Sequence, residues 1–432
     1  MDTPVFVSIL LYADDIVLLT SSETDMQDLL LIVEIWCKKW RLEVNLTKTN
    51  VMHVRDKKQQ QSNFMFLFDC KPVPYCTSYK YLGSTINEFL DYNCTVQIQA
   101  ENAGKALASI ITKMIKNGGF PYNVYTAVVE SCVDSVAHYG SAVFGFAENA
   151  FLVKLHLRSA RAFLGLPRNV CTEAAISDMA WLETKCKTRL NMIRQYHRVI
   201  KLSESRLTRK IYNWDLQFSN NFPNKTTWTN EIKTIFIENN YLSTFEAQLE
   251  FPLKTTINQI KQSMFKNQTI SLKDKCLQKP KLRTYNLFND FENAPDYVSR
   301  PLSFVQRRAI AKTRTGCLPL RLETARYERP RVPAELRYCK ACGMDEDTEM
   351  RNAVMEPDQL DKKIESETHF LFWCGLYSEL RKKWLGKVAK AENFDLLSIG
   401  ERYCTILSSQ NVKFTAQFII DSFDLRSKKL NK

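Results

Sequence analysis

Two clusters of residues in this chain have types and spacings that could do chemistry. The first is a pair of adjacent carboxylates, Asp14 and Asp15, set between the apolar runs VFVSILLY (5–12) and IVLLT (16–20). Two like charges side by side repel each other, so the pair requires either a solvated turn or a cation that neutralises both. A hard divalent ion such as Mg²⁺ or Mn²⁺ takes such oxygen ligands, and two ions about 3.5 to 4 Å apart can activate an attacking hydroxyl and hold a leaving pyrophosphate. An isolated Asp pair is, by itself, also ordinary turn chemistry. The second cluster is Cys339-x2-Cys342 followed by His369-x4-Cys374. Thiolates and an imidazole in paired spacing are the ligands of a tetrahedral Zn²⁺ site, with all four positions filled by protein and none left open for water. The alternative is a buried free thiol at Cys374 and a helix-capping His369.

The elements that would position these groups can be read from periodicity. The runs flanking the carboxylates predict a hairpin buried on at least one face. A helix follows: Thr24 and Gln27 have capping-box spacing, and Leu29, Val33, Trp36 and Trp40 form one apolar stripe. Strands are expected at 51–54 and 64–68, with further hairpins in KPVPYCTSYKYLGSTI (71–86), where Pro and Gly mark turns. From about residue 95 the pattern turns helical, with stops at Gly118-Gly119 and Gly140. Ser303 and Gln306 cap another helix that ends at Gly316 and carries Arg307, Arg308, Lys312 and Arg314, a basic face suited to phosphates. An acidic stretch (Asp345, Glu346, Asp347, Glu349) separates the two halves of the cysteine cluster.

Composition bounds the function. The 432 residues are 45% hydrophobic and 25% charged with a formal net charge of +13, which fits a globular chain of two or three domains and favours RNA or DNA as partner. Thirteen cysteines without a framework pattern read as reduced thiols plus a metal site, and no run reaches the roughly 18 apolar residues of a membrane span. An intracellular location, nuclear or cytoplasmic, is expected.

The word Tyr12-Ala13-Asp14-Asp15, the helix after it and LEVNLTKTNVMHV (42–54) together resemble the palm of reverse transcriptases, specifically those of non-LTR (LINE-like) retrotransposons. The resemblance continues through YKYLG (79–83), Tyr139-Gly140-Ser141 with Phe144 where Trp is more usual, FLGLPR (163–168) and RTGCLPLRLETARY (314–327), leaving out 213–300. It implies an α+β chain. A partial palm would occupy 1–90 and a thumb-like helical region 91–212. A helical connector would cover 213–300, the basic helix and zinc knuckle 301–390, and a helical tail 391–432. It also implies Asp14 and Asp15 as metal-binding carboxylates, Tyr12 near the primer terminus, and Lys48 as the lysine that protonates departing pyrophosphate. Tyr81, Leu82 and Gly83 would form the hairpin that supports the primer, with dNTPs as substrates. For Lys48 an exposed lysine beside a strand, and for 81–83 a plain Gly-marked turn, remain alternatives.

Such polymerases take a further metal ligand from an Asp on an earlier palm strand, ahead of which lie the fingers. Only 13 residues precede Asp14, and Asp2 matches that ligand in residue type alone. The chain is therefore expected to be catalytically incomplete, with the hairpin's edges and an apolar face unpaired. Two functional classes follow: the carboxyl-terminal part of an RNA-directed DNA polymerase, or a non-enzymatic zinc-dependent nucleic-acid-binding protein. A helical scaffold with an incidental metal site is the third.

Overall fold

The computed structural model describes residues 7–145, 148–248, 251–342, 362–388 and 393–430. Asp2 and the acidic stretch Asp345–Glu349 lie outside the described residues. The chain is α+β, largely helical with three small antiparallel strand pairs, and divides into two compact units built from interleaved segments. The first unit comprises Met1–Asn102, Ala137–Leu152 and Thr188–Ile257; the second comprises Ala103–Val136, Val153–Lys187 and Asn258–Lys432.

In the first unit, β1 (Ile9–Tyr12) and β2 (Asp15–Leu18) pair antiparallel with Tyr12 opposite Asp15, so Ala13 and Asp14 alone make the turn. Ala13 has φ 52, a left-handed conformation that two-residue hairpin turns demand. Helix α1 (Glu23–Trp40) follows. Its cap corrects the expected box: Ser22, not Thr24, accepts the Asp25 amide, while Gln27 bonds the backbone N–H and C=O of Leu67. Gln27 is drawn away because it ties the helix to β3 (Leu67–Phe68), which pairs with β4 (Lys71–Pro72).

The apolar stripe of α1 keeps Val33 of the expected set but turns away from Trp36 and Trp40. Met26, Leu30, Val33 and Cys37 face inward, and Leu30 packs with Phe66, Phe68 and Val73. Trp40 is 61% exposed, and Leu31, Ile32, Ile35 and Trp36 are exposed with it. The helix carries apolar residues on more than one side, so the spacing alone is consistent with two faces, and the aromatics around Phe66 select one. The hairpin is likewise far less buried than expected: Leu11 and Tyr12 are 67% and 63% exposed, with Ile9, Ile16 and Leu19 also open. The strand expected at 51–54 reduces to a single bridge between Val51 and Tyr75. The hairpin expected after it forms as β5 (Ser78–Tyr81) and β6 (Ser84–Asn87), with Leu82 and Gly83 as its turn.

Helices make up most of the rest. Helix α2 spans Tyr92–Lys116, and the region 213–300 contains the helices Trp228–Glu238 and Leu253–Leu277. The second unit holds a buried cluster of Ala174, Cys276, Leu282, Tyr285 and Phe291 and the capped helix Phe304–Arg314, whose Ser303–Gln306 capping box is present in both directions. No helix among the described residues is long and apolar enough to cross a membrane.

Candidate functional site

The carboxylate turn is open. Asp14 and Asp15 are both solvent-exposed, at the tip and first paired position of a two-stranded ribbon. Among the described residues no third His, Cys, Asp or Glu converges on them, whereas a phosphoryl-transfer pair of ions needs more ligands than two carboxylates offer. Tyr12 stands one strand position before the turn, its ring in solvent. Lys48 is exposed in the loop after α1, and its carbonyl accepts the Tyr79 hydroxyl of β5 at 3.0 Å. These residues are brought into one unit, with geometry that a divalent ion would still have to organise.

The second hairpin is braced. Leu82 and Gly83 have φ 45 and 84, the paired positive values of a type I′ turn, which Gly takes freely and Leu at a cost of about 1–2 kcal/mol. The Tyr139 hydroxyl donates to the Leu82 carbonyl at 2.8 Å, and its ring covers Gly83 so closely that a Cβ there would lie 3.1 Å away. Gly140, at φ 73, would place a Cβ 2.8 Å from Phe144, which stacks on Tyr92. The stretches 79–83 and 139–141, separated by more than fifty residues, are therefore one structural feature, and Tyr139 is a supporting residue that spacing could not reveal.

The cysteine cluster is enclosed. In the second unit Cys339, Cys342, His369 and Cys374 bring one ligand atom each to within 4.8 Å of one another. The Sγ atoms of Cys339 and Cys374 are 3.8 Å apart, those of Cys342 and Cys374 3.2 Å, and Cys342 Sγ lies 3.4 Å from His369 Nε2. A tetrahedral Zn²⁺ with bonds of about 2.3 Å to sulfur separates its ligands by about 3.7 Å, so this donor set fits that ion. The H-x4-C spacing works because His369–Trp373 is a π-helical turn closed by the Cys374 N–H on the His369 carbonyl at 2.8 Å. In an α-helix residues five apart point about 140° away from each other; a turn bonded i to i+5 brings them to one side.

Further residues set the ligands in place. His369 Nδ1 bonds the Lys362 carbonyl, which leaves Nε2 for a metal. The Cys374 carbonyl accepts Arg381 Nη2 at 2.8 Å. Glu365, buried, faces Cys339 Sγ at 3.4 Å and is paired with Arg426. Burial opposes charge on the imidazole, but the thiols of Cys342 and Cys374 and the Lys362 carbonyl outweigh it and lift His369 to about 10. Bonds from Cys339 and Cys374 hold Cys342 well below an ordinary thiol. Glu365 and Arg426 escaped the sequence reading because Glu365 looks like any charged loop residue and Arg426 lies 61 residues away.

The basic helix is corrected most. Arg307, expected to grip phosphate, is 1% exposed; its guanidinium lies 3.9 Å from the Phe163 ring and donates to the Phe120 carbonyl at 3.0 Å, and burial pushes its pKa down to about 10. Arg314 is buried too, in a two-pronged pair with Asp178 (Nη2–Oδ1 2.9 Å, Nε–Oδ2 3.2 Å). The hydroxyls of Tyr285 and Tyr297 donate to the same carboxylate. A phosphate cannot reach either arginine. Arg308 is exposed and Lys312 partly so; burial and then Arg308 lower the Lys312 ammonium. Gly165 of the FLGLPR stretch, at φ 67, packs against the Arg308 side chain, where a Cβ would come within 2.7 Å.

Comparison with known proteins adds one match. The family model described as Reverse transcriptase (RNA-dependent DNA polymerase) matches residues 4–86, the segment from the carboxylate hairpin to the braced hairpin. No curated protein matches the chain, and no solved structure does.

Proposed function

We propose that this chain is part of the RNA-directed DNA polymerase of a non-LTR retrotransposon, contributing the end of the palm, helical regions that hold nucleic acid, and a zinc knuckle. The observation that carries the reading is the reverse transcriptase match over 4–86, with the Asp14-Asp15 pair at the tip of its first hairpin. Asp14 and Asp15 would hold Mg²⁺ or Mn²⁺, which supplies a charge-neutralised nucleophile and leaving group when bound. Tyr12 lies beside the primer end, Lys48 is the proton source for pyrophosphate, and the Tyr81-Leu82-Gly83 turn, steadied by Tyr139, supports the primer strand. Arg308 and Lys312, one helical turn apart, contact phosphates. Cys339, Cys342, His369 and Cys374 hold Zn²⁺ in a structural role.

By itself the chain is proposed to be inactive, since a two-carboxylate turn with no third acid among the described residues lacks ligands that act in the transition state. The exposed apolar side chains of β1, β2 and α1, among them Leu11, Ile16, Ile35 and Trp36, are in keeping with the same view. Primer extension with Mg²⁺ or Mn²⁺ on an RNA template tests it. No extension is expected, and extension that disappears in Asp14→Asn would show that the chain is a complete enzyme. A second reading, a zinc-dependent nucleic-acid-binding protein without polymerase activity, is favoured by the contrast between the enclosed cysteine cluster and the open carboxylates. Both readings predict an affinity for RNA and DNA that falls steeply with salt.

A further inference from the structure

A cavity of about 640 Å³ in the second unit belongs to none of the sites above. Five cationic side chains, Lys279, Lys281, Arg326, Arg331 and Arg337, line it against a single carboxylate, Glu335. Two further acids lie near: Glu323 pairs with Lys281 and, at 3.4 Å, with Arg326, and Glu173 lies 3.8 Å from Lys279. Positive charge remains in excess. Arg337 is the telling member, because it is buried, bonds only the carbonyls of Val332 and Leu322, and has no carboxylate partner among the described residues. Crowding three guanidiniums at a concave surface costs energy unless an anion completes the arrangement, and guanidinium forks match phosphate oxygens.

We infer that this cavity is a phosphate-binding site for a single strand of nucleic acid, held in shape by the cysteine cluster beside it. This rests on the nucleic-acid reading above and names a part of it that the basic helix does not supply. A recess of this size accepts a backbone phosphate and its nucleotide, which a single strand can present and a duplex keeps on its convex surface. The link to the metal centre runs through the backbone. Tyr338 pairs with Ile364, the Cys339 amide bonds the Lys363 carbonyl at 3.1 Å, and the Glu365 amide bonds the Arg337 carbonyl at 3.0 Å. Arg337 Nη1 then donates to the Leu322 carbonyl at 2.7 Å, while the Leu322 amide bonds Glu365. Zinc that fixes Cys339 thereby fixes Arg337.

The test uses the full zinc-loaded chain and labelled 20-nucleotide single strands of RNA and of DNA, with affinity measured by fluorescence anisotropy across a salt series. Arg326→Gln together with Arg331→Gln is expected to weaken binding of both strands about tenfold near 0.1 M salt. The log–log salt slope should become shallower by about 0.7, the share of the one phosphate the recess holds. Glu335→Gln is expected to tighten binding a few-fold, a gain that misfolding cannot mimic. A double variant with the parent's affinity and slope, or an effect confined to one kind of strand, overturns the cavity assignment while leaving the nucleic-acid reading intact. A parent chain that binds neither strand overturns both. Chelation that removes zinc without changing the double-variant effect overturns the coupling.

Discussion

The two metal-type clusters of this chain are built in opposite ways. The cysteine cluster has its donors at tetrahedral separations, two of its thiols fully enclosed, and a surround of Lys362, Glu365, Arg381 and Arg426 that orients them. The carboxylate pair sits at the tip of a two-stranded ribbon, with Ile9, Leu11, Tyr12 and Ile16 of its strands in solvent. A preformed donor set lets an ion contribute to folding at once, while an open pair must recruit ligands and water before it can bind. The difference teaches that a donor set enclosed by packing and one left at a ribbon's tip meet an ion on different terms.

Zinc removal should produce the largest effect. Cys374→Ser, or chelation, is expected to abolish stoichiometric zinc and to remove the highest-temperature unfolding transition, because structural zinc sites contribute on the order of 10 kcal/mol of apparent binding energy. Metal analysis beside a thermal melt checks this, and an unchanged melt would place the two clusters on an equal footing. Zinc affinity should also fall about tenfold per pH unit for each proton displaced as pH is lowered below about 10. The sign follows because His369, lifted to about 10 in the metal-free cluster, must lose its proton to bind.

Next in size is the buried pair of the basic helix. Asp178→Asn leaves Arg314 enclosed without a counter-charge and is expected to cost about 3–5 kcal/mol in denaturant unfolding. Arg308→Gln, on the exposed side of the same helix, should leave stability nearly unchanged and lower nucleic-acid affinity. The reversed pattern would return Arg314 to the phosphate-binding surface.

Gly83→Ala, at φ 84 under the Tyr139 ring, should cost about 1–2 kcal/mol. Tyr139→Phe, which deletes only the 2.8 Å bond to Leu82, should cost about 1 kcal/mol. The smallest effect is expected at the carboxylates. Asp14→Asn should not shift the melting temperature measurably, with or without millimolar Mg²⁺, since nothing in the described fold depends on that charge. A Mg²⁺-dependent stabilisation lost in this variant would show that the turn already binds its ion.

Much of this was legible in the residues. Apolar runs on both sides of the Asp pair placed the first hairpin and Pro and Gly marks the second, Ser303-x2-Gln306 capped its helix, and paired cysteine spacing named the four residues of the cluster, because each residue type there has few other uses. What tertiary structure alone decided was which way ambiguous side chains point. The amphipathic pattern of α1 allowed two faces until Phe66 and Phe68 chose Leu30 over Trp36. Arg307 and Arg314 read as surface cations until the Phe120 carbonyl and the Asp178 carboxylate, 187 and 136 residues away, took them inside. A charge on a helix is free or buried according to the partner that desolvates with it, and the location of that partner is set by how the chain packs.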